Sequence, residues 1–368
     1  MRTIFCRFAI IIFLLLLPFG RPPAAYAASD GQAPVDPTDT SLHLDTSTPL
    51  VSLIGKPGQA VPVQLRIENF GSHPETLTIT INKFTAADES GSPRLEALTP
   101  ADLFGNWITF SPKTFTIQPN EWKTITATIA IPENAGFSYY PVFTFSRLNG
   151  APANLQGGTS LIGGVGILLL LAIDRPDAKR QLEFLDFSTD KAVYQFLPVT
   201  FQVRLRNTGN VFVVPTGNIF IDQGNKHDIA VLPINKENGN ILPNSIRRYT
   251  SSQWSDGFPV YVPQKNGNQA VTQPNGAPVM KLNWDMTKLS NFRIGRYRAT
   301  AVVVYNNGTR DVPLSLSTDF WVIPWWILTG GAVILLILLA GLYSILKSLF
   351  RRRRHPRPSQ PPRPSMPA

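Results

Sequence analysis

One cysteine, Cys6, is all that the 368 residues contain. Whatever follows it folds without an internal disulfide and depends on core packing alone. That excludes the small disulfide-stapled extracellular modules of animals and points to a bacterial envelope. Histidine is also scarce. His43, His73, His227 and His355 stand apart, with no His-x-x-x-His pair and no cysteine or carboxylate at ligand spacing, so no metal site is expected. Absent too are a Gly-x-Ser-x-Gly elbow, a phosphate-cradling glycine loop ahead of a helix and a catalytic cysteine. No catalytic residue and no cofactor is expected. Asp88-Glu89, beside Ser90-Gly91-Ser92-Pro93, forms a hairpin tip rather than an acid pair. The enzymatic alternative is a wall-processing glycosidase, which needs two carboxylates about 5–10 Å apart across a cleft.

A formal net charge of +10 suggests a polyanion binder, but its distribution removes that meaning. Three arginines and no acid lie in residues 1–27, and seven bases and no acid in 347–368. Residues 28–346 then hold 24 Lys and Arg against 24 Asp and Glu. A neutral body has no general counterion-release drive toward nucleic acid.

What the sequence does have is two unequal apolar segments. Arg2 and Arg7 precede a short apolar run, and Ala25-Tyr26-Ala27 offers a small-x-small cleavage site, so residues 1–27 are expected to be a secretory signal peptide. Residues 325–346 carry no charged side chain, and as a helix they would extend roughly 33 Å, enough to cross a bilayer. Trp325 and Trp326 stand at one end as an interfacial belt. Lys347, Arg351, Arg352, Arg353 and Arg354 follow the other end, as on a cytoplasmic stop. No Leu-Pro-x-Thr-Gly signal precedes this segment. The expected topology is single-pass at the plasma membrane, with the N-terminal domains outside and a basic, proline-rich tail (347–368) inside.

Between these segments the pattern has period two. Val61, Val63, Leu65 and Ile67 alternate with Pro62, Gln64 and Arg66; Leu77, Ile79 and Ile81 with threonines; Ile125, Ala127, Ile129 and Ile131 likewise. Turns punctuate them at Lys56-Pro57-Gly58-Gln59, Asn69-Phe70-Gly71-Ser72 and Gln118-Pro119-Asn120. The apolar run 161–173 is too short to span a membrane, and its three glycines weaken it further, so a buried strand is expected there. Asp174-Arg175-Pro176 marks a boundary. Beyond it Val199, Phe201, Val203 and Leu205 alternate, Asp222-Gln223-Gly224-Asn225 closes a hairpin, and Asn306-Asn307-Gly308 turns into a last strand. Gly295-Arg296-Tyr297 is similar to the tyrosine corner of immunoglobulin-like sandwiches.

The expected fold is all-β: two consecutive Ig-like antiparallel β-sandwich domains followed by a single transmembrane α-helix. A flexible leader covers 28–48, the domains 49–175 and 180–320, and a polar insertion 255–290 lies within the second. An insertion of that length is either functional or disordered. Trp107, Trp122, Tyr139, Tyr140, Tyr261 and Trp284 are the candidate contacts, each with core packing as its plain alternative.

Lys56-Pro57-Gly58-Gln59 with the strand through Ile67-Glu68-Asn69 resembles the bacterial WxL-interacting proteins. So do Gln118-Pro119-Asn120-Glu121 before 124–132, Asn207-Thr208-Gly209-Asn210, Pro215-Thr216-Gly217 and Leu242-Pro243-Asn244-Ser245. The resemblance implies two β-sandwiches on one membrane helix, with peptidoglycan bound by the first and a surface protein by the second. The expected role is a non-catalytic surface adhesion or scaffold protein whose partners are the lipid bilayer and a surface protein or cell-wall glycan. An accessory subunit of an envelope secretion or transport complex is the remaining alternative.

Overall fold

The computed structural model describes residues 41–352, except 151–153, 157–159 and 268. The expected signal peptide, most of the leader, and the part of the tail from Arg353 onward, with Arg354, lie outside the described residues.

Alternation along each strand puts one row of side chains into a core and the other into water. On Ala60–Asn69 the inward row is Val63, Leu65 and Ile67, and on Glu121–Ala130 it is Ile125, Ala127 and Ile129; all six are buried. These two strands pair antiparallel at the centre of a sheet ordered Leu44–Thr46, Ala60–Asn69, Glu121–Ala130, Ile108–Ser111. The facing sheet runs Leu50–Gly55, Gly164–Ile173, Pro141–Arg147, Glu75–Ala86, Pro93–Ala97. The opening strand is shared between the two layers. Leu44–Thr46 pairs with Ala60–Asn69, and past a corner at Pro49, Leu50–Gly55 pairs parallel with Gly164–Ile173. Three residues expected in the leader thus already belong to a sheet.

From Gly164 on the apolar run is an inner strand, whereas Leu161 and Ile162 fall in a separate short ladder, Ser160–Ile162 with Asn154–Gln156. Ile167, Leu169, Leu171 and Ile173 face the sandwich core. Leu170, on the opposite face, is buried as well, because Phe212 and Leu242 of the second sandwich pack over it together with Phe84, Leu95 and Val142. A strand covered on both faces has no polar row to alternate with. That is why it mimics a membrane segment.

The second sandwich opposes Leu182–Thr189, Val199–Asn207 and Ile246–Tyr249 to a sheet ordered Val193–Tyr194, Asp311–Val322, Gly295–Asn306, Thr216–Gln223, Lys226–Ile234. Its centre is aromatic. Tyr297 stacks on Phe320 with centroids 5.6 Å apart, and Trp254 meets the Tyr297 ring edge-on at 5.1 Å. Both sandwiches end the same strand with the same device. Asn69 and Asn207 are fully buried. Each accepts from the amide two residues on (Gly71 at 3.0 Å, Gly209 at 2.9 Å) and donates to the carbonyl four on (His73 and Val211, both 2.8 Å).

The described part of the insertion forms short paired strands. Val260–Pro263 pairs with Met280–Asn283, Lys265–Asn266 with Gln269–Ala270, and a 3-10 helix covers Met286–Asn291. Polar strand faces hide such short ladders from a hydrophobic pattern.

Hydrogen bonds at two places, among the described residues, join the sandwiches beside that apolar seam. The tip of the hairpin formed by Glu75–Ala86 and Pro93–Ala97 lies on the second sandwich, where Arg248 N donates to Glu89 O at 2.7 Å and Arg204 Nε to Glu89 Oε2 at 2.9 Å. Ser138 Oγ donates to Asn210 O at 2.9 Å. The last element is a single helix, Trp325–Arg352, whose apolar part Trp325–Lys347 is long and apolar enough to span a membrane. It continues through Arg351 and Arg352, which the sequence placed in the tail.

Candidate functional site

A cleft of about 450 Å³ opens on the first sandwich. The 3-10 turn Leu103–Trp107 delivers Trp107 to its lining, and the short strand Ser138–Tyr139 delivers Tyr139 beside it. The two rings meet edge to face at 4.8 Å, and Phe104 supports Tyr139 from below at 5.6 Å. Gly136 N donates to the Tyr139 hydroxyl at 2.6 Å, which fixes the ring's direction. Tyr140 completes the back of the cleft, edge-on to Phe84 at 5.6 Å. Burial pushes its phenol pKa up. Aromatic rings held this way offer rigid apolar faces at little entropic cost.

The polar side of the cleft holds one ion pair, with Thr85, Asn134 and Ser138 also in the lining. Lys83 Nζ lies 2.8 Å from Asp102 Oδ2, and Asp102 also accepts from Thr99 N at 2.7 Å and Thr99 Oγ1 at 2.6 Å. Burial alone would raise the Asp102 pKa, but the hydrogen bonds from Lys83 and Thr99 outweigh it and hold the carboxyl at about 2. It is an acceptor at neutral pH, with no proton to give. Leu103 stands exposed at the rim.

The cleft therefore gathers Trp107, Tyr139 and Tyr140, and leaves the other three candidates elsewhere. Trp122 sits at the far end of Glu121–Ala130, some eight residues and roughly 26 Å from the cleft end of that strand, half-exposed with the Arg66 guanidinium 5.0 Å from its ring. Tyr261 packs on Phe196 at 6.0 Å and Trp284 on Phe258 at 5.8 Å, both in the second sandwich. Asp102 and Lys83 had no sequence signal, because 19 residues separate them and neither belongs to a motif. Among the described residues no group of His, Cys, Asp and Glu is placed to hold a metal ion.

A second concavity, of about 260 Å³, lies between the sandwiches and is mostly apolar, with Leu50, Phe84, Leu168 and Leu242 in its walls. Arg247 borders it. Its guanidinium is flanked by Gly91 of one sandwich and Gly239 of the other, so a β-carbon at either position would require it to shift.

The family model of an Fn3-like domain matches residues 53–152, which lie in the first sandwich. No curated protein sequence matches the chain. Solved structures with similarity include the class 5 fimbriae chaperone CfaA, at 13% identity over 66% of this chain and 99% of that one, with a TM-score of 0.33. The Pseudomonas aeruginosa CupB2 chaperone matches at 11% identity over 76% and 100%, with a TM-score of 0.31. The E. coli chaperone DraB matches at 12% over 75% and 96%, with a TM-score of 0.29.

Proposed function

We propose that the chain is a membrane-anchored, non-catalytic surface protein that binds a cell-wall glycan or a surface protein through the Trp107–Tyr139 cleft. The observation that carries this reading is the pairing of that rigid aromatic cleft with a charged acceptor and donor at its edge, on a body joined to one apolar helix. Aromatic faces pack against the apolar face of a sugar ring or an apolar side chain, while Asp102 and Lys83 reach hydroxyls or amides.

The cleft chemistry supports binding over bond cleavage. Hydrolysis of a glycoside needs a proton donor opposite a second carboxylate. Asp102 is the one carboxylate in the cleft wall among the described residues, and it is held ionised. In this reading the sandwiches stand on the outer side of a plasma membrane, the basic end of the helix faces the cytoplasm, and a signal peptide directs export. The likeness to WxL-interacting proteins belongs with it and names a wall glycan as one ligand.

Full-length protein in nanodiscs, mixed with isolated cell wall and separately crosslinked to the membrane proteome, tests the proposal. Retention on either is expected. If neither retains it, the binding role is wrong. A reporter fused after Ala368 that is active only outside the cell contradicts the orientation.

A further inference from the structure

Strand register fixes which end of the second sandwich meets the bilayer. Asp311–Val322 runs directly into Ile323-Pro324 and the helix start at Trp325. Gly295 is the residue opposite Val322, so the segment entering Gly295–Asn306 lies at the same end. Val193–Tyr194 runs parallel to that last strand, and Ile323 N donates to Tyr194 O at 2.7 Å. The linker from the first sandwich enters at the opposite end, where Thr208 N donates to Gln181 O at 2.9 Å and Arg180 lies beside Gly308.

The segment delivered to the membrane end is 284–294, and it is built to stay there. Asp285 caps its 3-10 helix by accepting from Thr287 N at 3.1 Å. Phe258 N donates to Asn291 O at 2.9 Å, Arg293 pairs with Asp256 at 3.1 Å, and Gln223 Nε2 donates to Ile294 O at 2.6 Å. Leu289 lies six residues before Gly295, at most roughly 22 Å of chain from the sheet.

This pinned segment turns apolar side chains outward. Met286 is 67% exposed, Leu289 59% and Trp284 50%. Three large apolar residues held open to water on a fixed loop are costly unless another phase covers them. The phase that adjoins them is the one the helix enters, at a level marked by Trp325 and Trp326, both exposed. Exposed Lys288, between Thr287 and Leu289, can bury its stem and keep its ammonium at phosphate level.

We propose that this face is a lipid-contacting surface, with Trp284, Met286 and Leu289 entering the interfacial layer of the phospholipid bilayer that the C-terminal helix crosses. The helix then acts with a second, shallow contact, which fixes the tilt of the sandwiches over the membrane instead of leaving them on a free stalk. The inference rests on the membrane-spanning reading of Trp325–Lys347.

The test uses the full-length chain, with Cys6 replaced by serine, in liposomes whose lipids carry quenchers at shallow or deep acyl positions. An environment-sensitive dye is attached at Met286→Cys or Leu289→Cys, with Leu336→Cys as the helix control and Thr309→Cys as the distal control. Positions 286 and 289 should be quenched at least threefold more than 309, best by the shallow quencher, and 336 best by the deep one. Quenching at 336 with 286 and 289 no different from 309 overturns the lipid surface and leaves the helix reading standing. Absence of quenching at 336 overturns both. As a check free of substitutions at the surface, photoreactive lipid should label 284–294 and leave the 306–311 turn unlabelled; the reverse contradicts the proposal.

Discussion

Arg204 of the second sandwich grips Glu89 of the first through both its Nε and its Nη2, across 115 residues of sequence. A planar guanidinium meeting a carboxylate in this two-point fashion fixes direction as well as distance. With the Phe212 and Leu242 seam beside it, the pair ties the second sandwich to the first. Glu89→Ala is expected to leave each sandwich folded and to broaden their relative orientation. Small-angle scattering of the full-length chain in nanodiscs should show a wider distance distribution; an unchanged one contradicts the clamp.

Leu170→Ala is expected to cost about 2–3 kcal/mol, within the range for a buried leucine truncation. Phe84, Leu95 and Val142 of the same sandwich cover part of the side chain and Phe212 and Leu242 of the other cover the rest, so an isolated first sandwich would lose less. Denaturant melts of the full-length protein measure the cost. A change below about 0.5 kcal/mol, the level usual for surface substitutions, would mean that the seam with Phe212 and Leu242 does not persist in solution.

Asn207→Ala should be among the most damaging polar changes. It strands the carbonyl of Val211 and the amide of Gly209, which this one side chain partners, and leaves the Ile241 carbonyl only its bond from Val213 N. A buried group left unpaired costs about 1–3 kcal/mol, so a fall in stability of at least about 2 kcal/mol is expected in the same melts. Stability equal to that of the unsubstituted chain would remove Asn207 from its role.

The Asp102 carboxyl, held at about 2 in the folded chain, gives stability a defined pH dependence. Its folded pKa is depressed, so its contribution is complete above the ordinary carboxylate value near 4 and disappears as pH falls toward 2. Asp102→Asn should flatten that part of the stability curve, with its destabilisation fully present at pH 7 and shrinking as pH falls toward 2. The difference between variant and parent melts from pH 2 to 6 reads this directly. A difference that grows as pH falls has the wrong sign for the account.

Much of this architecture is written in local pattern. The alternation at Val63, Leu65 and Ile67 gives a half-buried strand without help from any neighbour, and Gly224-Asn225 closes its hairpin as a two-residue turn should. Contacts between distant segments are not written there. Asp88 and Glu89 have the sequence of a solvated tip, and only the arrival of Arg204 and Arg248 makes that tip a joint. The cleft was half legible: Trp107, Tyr139 and Tyr140 are conspicuous as aromatics, but their partners Lys83 and Asp102 are ordinary charged residues until the fold brings them together. Met286 and Leu289 follow no period at all, since a pinned loop exposes side chains by position and not by repeat.

Binding by full-length protein in nanodiscs to the wall fraction or membrane partner that retains it, compared between Trp107→Ala and Trp122→Ala, tests the central claim most directly. Loss of the cleft aromatic should weaken binding at least tenfold, about 1.4 kcal/mol, while the distant Trp122→Ala stays within twofold of the unsubstituted chain. Equal binding by Trp107→Ala and the unsubstituted chain, with both folded, would contradict the assignment of the cleft.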